Sequence, residues 1–135
     1  MGIYFMEDFY EFMKDRIKKA DRRGANCVGA ALYITGETPS ESYFSRKIAR
    51  KSFGRLRTSR EPGLGYIVLW ESDGIPFHAG VVLSTNPLKV VHRNEIGGLL
   101  TEHPLEELKN YLFKHTKINP VYKIPAKLKD TLNFK

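Results

Sequence analysis

Residues 66–93 read Tyr66-Ile67-Val68-Leu69-Trp70-Glu71-Ser72-Asp73-Gly74-Ile75-Pro76-Phe77-His78-Ala79-Gly80-Val81-Val82-Leu83-Ser84-Thr85-Asn86-Pro87-Leu88-Lys89-Val90-Val91-His92-Arg93. Short runs of Val, Ile and aromatic residues alternate here with turn signals, the pattern of consecutive antiparallel strands. Residues 66–70 read as one strand, Ser72-Asp73-Gly74 as a hairpin turn and residues 76–83 as a second strand. Asn86-Pro87 marks the next turn, and residues 88–93 make a third strand. Centred near Thr85, the second hairpin sets His78 opposite His92 on one face and within side-chain reach. A slip of one residue would send the two rings to opposite faces.

Upstream, the texture is helical. Residues 4–23 place Phe5, Phe9, Phe12, Met13, Ile17 and Ala20 at steps of three and four, with Lys14, Lys18 and Lys19 left for water. Gly24 suits the C-cap of that helix. Asn26 stands at an N-cap position before Cys27-Val28-Gly29-Ala30-Ala31-Leu32-Tyr33-Ile34-Thr35, a buried helix stopped by Gly36. Its small residues let another element approach closely. A third helix is expected from Thr38-Pro39-Ser40-Glu41 to about Ser52, with Pro in its first turn and Glu three residues after Thr.

Downstream, Leu105, Leu108, Leu112 and Phe113 fall on one side of a helix over residues 104–115, and residues 120–124 suggest an edge strand. His103 and His115 read as a helix-start residue and a helix C-terminal charge partner. Helices first and an antiparallel meander afterwards indicate an α+β fold. A chain of 135 residues is long enough for one core, so residues 1–135 are read as a single domain.

Apolar residues make up 41% of the chain and charged residues 27%, the balance of an ordinary globular protein. The longest apolar runs, residues 65–70 and 79–83, are strand-sized and too short to span a bilayer. Glu7, Asp8 and Glu11 replace the basic-then-apolar start of a signal peptide, so a cytoplasmic location is expected. A single cysteine rules out an intramolecular disulfide and argues against a cysteine-based zinc site. No other ligands stand at metal-binding spacing, and no cofactor is implied.

The net charge of +7 favours an anionic contact. Its most visible source is the run from Arg46 to Arg60. The bland reading is the solvated face of a helix and loop. A nucleic-acid surface is the alternative, but only Phe53 interrupts the run as a stacking aromatic and no nucleic-acid motif appears. A third reading places Arg55 and Arg57, with Asn26, around an anionic or carboxylate-bearing substrate.

Cys27 at a helix N-terminus is where chemistry becomes possible. Helix amides and the helix dipole favour a thiolate. A neighbouring imidazole serves as base and then as acid to the leaving group, and a further polar group fixes its tautomer. Free amides near Cys27 would form an oxyanion hole, in which one donor is typically worth about 3 kcal/mol.

The ordered set Asn26-Cys27-Val28-Gly29, Glu61-Pro62-Gly63, His78-Ala79-Gly80-Val81-Val82-Leu83 and Val90-Val91-His92 resembles the NlpC-like superfamily of papain-like cysteine peptidases. The resemblance spans residues 4–93 and keeps the unpermuted order, Cys before His. It implies a papain-like NlpC-type domain with Cys27 as nucleophile, His78 as base and His92 as the orienting residue. The substrate it implies is peptide-like, an amide or related acyl bond, attacked through a thioacyl intermediate. In this chain Asn26 stands where the family has Asp, Val28 where it has Ser, and Leu64 where its Pro-Gly-Asp turn has Asp. Two other expectations compete: a basic nucleic-acid-binding module, and a catalytically inactive member of the same fold acting in protein interaction.

Overall fold

The two hairpins form as their turn residues require. In a computed structural model describing residues 4–20, 25–93, 99–112 and 119–128, β2 (Ile67–Ser72) turns through Asp73 and Gly74, both at positive φ, into β3 (Ile75–Thr85). A tight turn of that hand is cheap for glycine and tolerated by aspartate. β3 then turns through Asn86-Pro87 into β4 (Leu88–Arg93). These strands are the middle of a six-stranded antiparallel sheet, order β1-β6-β2-β3-β4-β5.

Two strands were not visible in the pattern of residues, and a third is not where it was expected. β1 (Arg57–Ser59) lies inside the basic run, and β5 (Leu100–Pro104) precedes the last helix, α4 (Leu105–Leu112). The C-terminal strand β6 (Val121–Ile124) is no edge: it inserts between β1 and β2, pairing with both. That insertion hydrogen-bonds both of its sides and makes short β1 the edge instead. At the other end of the sheet, β5 pairs with β4 and sets Thr101 opposite His92 and His103 opposite Val90.

Helix α1 (Met6–Lys19) buries Phe9 and Met13 and leaves Phe5 exposed, with acidic residues in its first turn and basic residues in its last, as the helix dipole favours. The expected Gly24 cap and the His115 position lie outside the described residues. Helix α2 (Cys27–Ile34) is buried on nearly every side, from Val28 to Ile34, and packs on β3 and β4. Arg16 ties the two helices: its Nη1 donates to the carbonyls of Tyr33 (3.1 Å) and Thr38 (2.9 Å) while its guanidinium lies over the rings of Phe12 and Tyr33.

Helix α3 (Arg46–Gly54) starts later than the Thr38-Pro39-Ser40-Glu41 signal suggests. Ser45 is its cap, the hydroxyl accepting from the Ile48 N–H at 3.3 Å. The reason is tertiary. Residues 41–44 take a non-helical path over the start of α2, where the Ser42 carbonyl sits so close to Gly29 that a Cβ would come within 1.6 Å of it. The Glu41 carboxylate leaves that path to meet Arg93. Those contacts outweigh the local helix signal.

Helices and sheet enclose one apolar core, with Phe9, Met13, Leu32, Phe53, Ile67, Leu69, Trp70, Val81, Val90 and Leu108 among its members. The architecture is α+β. Among the described residues no helix is long and apolar enough to cross a membrane.

Candidate functional site

Asn26 sets the position of Cys27. Its backbone is extended, and its side-chain oxygen accepts from the Gly29 N–H (3.0 Å), the N-cap bond that starts α2 one residue later. The same amide oxygen accepts from the Phe44 N–H (3.3 Å), and its nitrogen donates to the Phe44 carbonyl (2.8 Å). The Asn26 side chain is therefore committed to holding α2 and residues 41–44 together.

With Gly29 and Ala30 donating to Asn26, the amides left in the first turn are those of Cys27 and Val28. Both lie near enough to favour a charged Cys27 sulfur, as does the main-chain N–H of Ala79 on β3. Cys27 thus meets the sheet at main-chain level, one residue from His78. Burial pushes the thiol above its ordinary value; the three amides, and then the charge of Arg46, pull the other way without reversing it. The expected helix-terminus effect is present, but the loss of water around the sulfur outweighs it. At rest this is a thiol.

His78 is held on its other side. Its Nε2 lies 2.9 Å from Nδ1 of His92, and the rings meet edge to face. Nε2 of His92 in turn lies 3.3 Å from the Thr101 hydroxyl. Trp70, the cross-strand partner of His78, places its ring 5.6 Å from the His78 ring, and His103 stands 5.2 Å from His92. Burial and then the neighbouring His92 hold His78 down to about 3; burial and then His103 hold His92 down to about 4. Both imidazoles are neutral, and one proton sits between them. If His78 Nε2 is the donor, His92 Nε2 carries the proton given to Thr101, and His78 Nδ1 is left as an unprotonated base.

Among the described residues no hydrogen bond joins the Cys27 sulfur to His78. The two residues are brought to the same stretch of β3, one through the main chain of Ala79 and the other through its own position. Strand alternation points Arg93 away from His92. There its guanidinium meets Glu41 at 2.6 Å, both side chains fully buried.

Arg55 and Arg57 do not join this group. Arg55 is the exposed C-cap of α3, and Arg57 lies on β1, three strands from β3 in the sheet. The cation that does act on the thiol is Arg46, at the start of α3. His103, expected at a helix start, is on β5 beside His92, its Nδ1 3.4 Å from Glu107.

No protein-family model matches this chain, and no curated protein matches it. The site is therefore read from its own residues. Among those described, no group of three or more His, Cys, Asp or Glu side chains is arranged to hold a metal ion.

Three contributors escaped the sequence. Thr101 could be found only through the pairing of β5 with β4. Glu41 read as a helix-start residue, and Arg46 was one of several equivalent cations in a run. Each acquires its role from a tertiary contact rather than from a local pattern.

Proposed function

We propose that the chain is a divergent NlpC-like, papain-type domain that forms a thioacyl bond at Cys27, as a hydrolase or transferase acting on an amide or related acyl substrate. The observation that carries this reading is the ordered chain His78–His92–Thr101 on neighbouring strands, ending beside the main-chain contact between β3 and the Cys27 sulfur. His78 takes the thiol proton through Nδ1 as the sulfur attacks, then delivers it to the leaving group. His92 holds the ring and its tautomer. The amides of Cys27 and Val28 receive the developing oxyanion. Because the resting thiol and imidazole are both neutral, proton transfer accompanies attack rather than preceding it. Hydrogen bonds of this kind are often long before substrate is bound.

A catalytically inactive domain of the same architecture is the second reading, favoured by the raised thiol. One experiment separates the two. The protein is incubated with an activated acyl ester, and intact mass is followed. The expected result is a hydroxylamine-labile adduct on Cys27, absent in Cys27→Ser and formed at least about a hundredfold more slowly in His78→Ala. Equal rates in the native protein and His78→Ala would leave an inert buried thiol.

A further inference from the structure

Residues 46–60 are a block of positive charge with no counter-charge of their own. Lysines and arginines number 22 against 15 acidic residues; residues 46–60 hold seven of the cations and no carboxylate, so the remainder balances at 15 against 15. Most of that segment is α3, which buries Ala49 and Phe53 and turns Arg46, Lys47, Arg50 and Lys51 to water. Among the described residues none of these four, nor Arg55, has an acidic partner within ion-pair distance.

Two shallow, open depressions lie along the exposed face of the helix. One open hollow of about 460 Å³ is lined by Lys47, Arg50, Lys51 and Gly54, and another of about 500 Å³ by Ile48, Lys51, Ser52 and Arg55. Gly54 contributes by lacking a side chain: nothing stands within 4 Å of where its Cβ would be.

The helix also starts at the candidate nucleophile. Phe44, two residues before Arg46, is bonded twice to the Asn26 side chain that caps α2 at Cys27. The basic face is thus continuous with the reactive end of α2. Phe53, the one aromatic within the run, is 1% exposed, so α3 itself offers no platform on which bases could stack, and the exposed Tyr43 lies before the helix. Ile48 is the single large apolar side chain it exposes, too little to anchor a helix in lipid.

We propose that the acyl substrate is an acidic peptide segment, held along the exposed face of α3 by Lys47, Arg50, Lys51 and Arg55 with its reactive carbonyl toward Cys27. The chemistry rests on the acylation reading of Cys27; the binding does not. Carboxylates spaced along an extended peptide match cations spaced along the helix, and the reactive end of such a peptide carries the amide that a thiol can attack.

The test uses a short fluorescein-labelled oligoglutamate peptide on the full chain, with an oligolysine peptide and a single-stranded DNA of equal charge as comparators. Anisotropy should report oligoglutamate binding that weakens about tenfold in the Arg50→Gln/Lys51→Gln/Arg55→Gln variant. All three side chains are exposed, and an unchanged melting temperature verifies the fold of the variant. Saturating oligoglutamate should also slow iodoacetamide alkylation of Cys27 several-fold in the native protein and not in the variant. Absent binding, binding indifferent to the substitutions, alkylation that oligoglutamate does not slow, or equal binding of the DNA would each overturn the inference. Loss of Cys27 acylation with peptide binding intact would instead overturn the chemistry alone.

Discussion

His92 reaches His78 diagonally across two strands. The ladder that sets Val81 opposite Val91 puts position 92 across from Gly80, two residues along from His78, yet the ring nitrogens lie 2.9 Å apart. Gly80 makes this possible. A Cβ there would meet Val90 at 2.5 Å and the His92 Cβ at 3.3 Å, so the bare backbone leaves the space that the imidazole crosses. A displacement of two residues keeps both rings on one face, where a displacement of one would have parted them.

That pair makes stability depend on pH in a defined direction. In the folded chain burial holds His78 and His92 down to about 3 and about 4, against an ordinary 6.5. Below pH 6.5 the unfolded chain binds protons that the folded chain refuses, so this contribution to stability is full above 6.5 and is lost progressively as pH falls through 4 and 3. Urea midpoints measured from pH 7.5 to 4.5 should therefore fall with acid. In His78→Asn the fall should be shallower. An identical slope in both proteins would show that His78 does not titrate with unfolding.

Thr101 is expected to act as a positioning residue through His92. Thr101→Val keeps the shape and removes the hydroxyl 3.3 Å from Nε2, at a cost of about 1 kcal/mol in urea denaturation. The acylation rate at Cys27 should fall several-fold as well, and Thr101→Ser should restore it. A Val variant that loses stability but acylates at the native rate would assign the hydroxyl to packing alone.

The Glu41–Arg93 pair stands or falls on both partners. Each side chain is almost wholly shielded from water, and Glu41 Oε1 has no hydrogen-bond partner among the described residues. Glu41→Gln leaves a buried guanidinium without its carboxylate, and a loss of about 3–5 kcal/mol is expected from chemical denaturation. The double variant Glu41→Leu/Arg93→Met should recover most of it. A single variant within 1 kcal/mol of the native protein would mean that water reaches the site.

These residues also mark what the chain discloses before it folds. The central hairpins, the cap at Asn26 and the shared face of His78 and His92 follow from turn residues, periodicity and alternation, all of which are local. The start of α3 is different: Ser45 replaced Thr38 as its cap because Glu41 and Phe44 had stronger partners far along the chain. β6 became an interior strand because β1, three residues long within a basic run, pairs with it. The direction of the Cys27 shift was not legible either, since it turns on how deeply the sulfur is buried against β3.

Gly29 tests whether residues 41–44 are as firmly seated as their contacts indicate. A methyl group there would lie 1.6 Å from the Ser42 carbonyl oxygen, which belongs to the main chain and has no rotamer to change. Gly29→Ala must move either α2 or that segment, straining the two Asn26–Phe44 bonds, so a loss of at least about 1–3 kcal/mol is expected. Alkylation of Cys27 should accelerate as the segment lifts. Gly54→Ala supplies the contrast: its Cβ meets nothing and its backbone is helical, so a gain of about 0.4–1 kcal/mol is expected. Two Gly→Ala changes in one chain, opposite in sign, separate close approach from backbone entropy. If Gly29→Ala were as stable as Gly54→Ala, the close packing of Ser42 on α2 would not hold in solution.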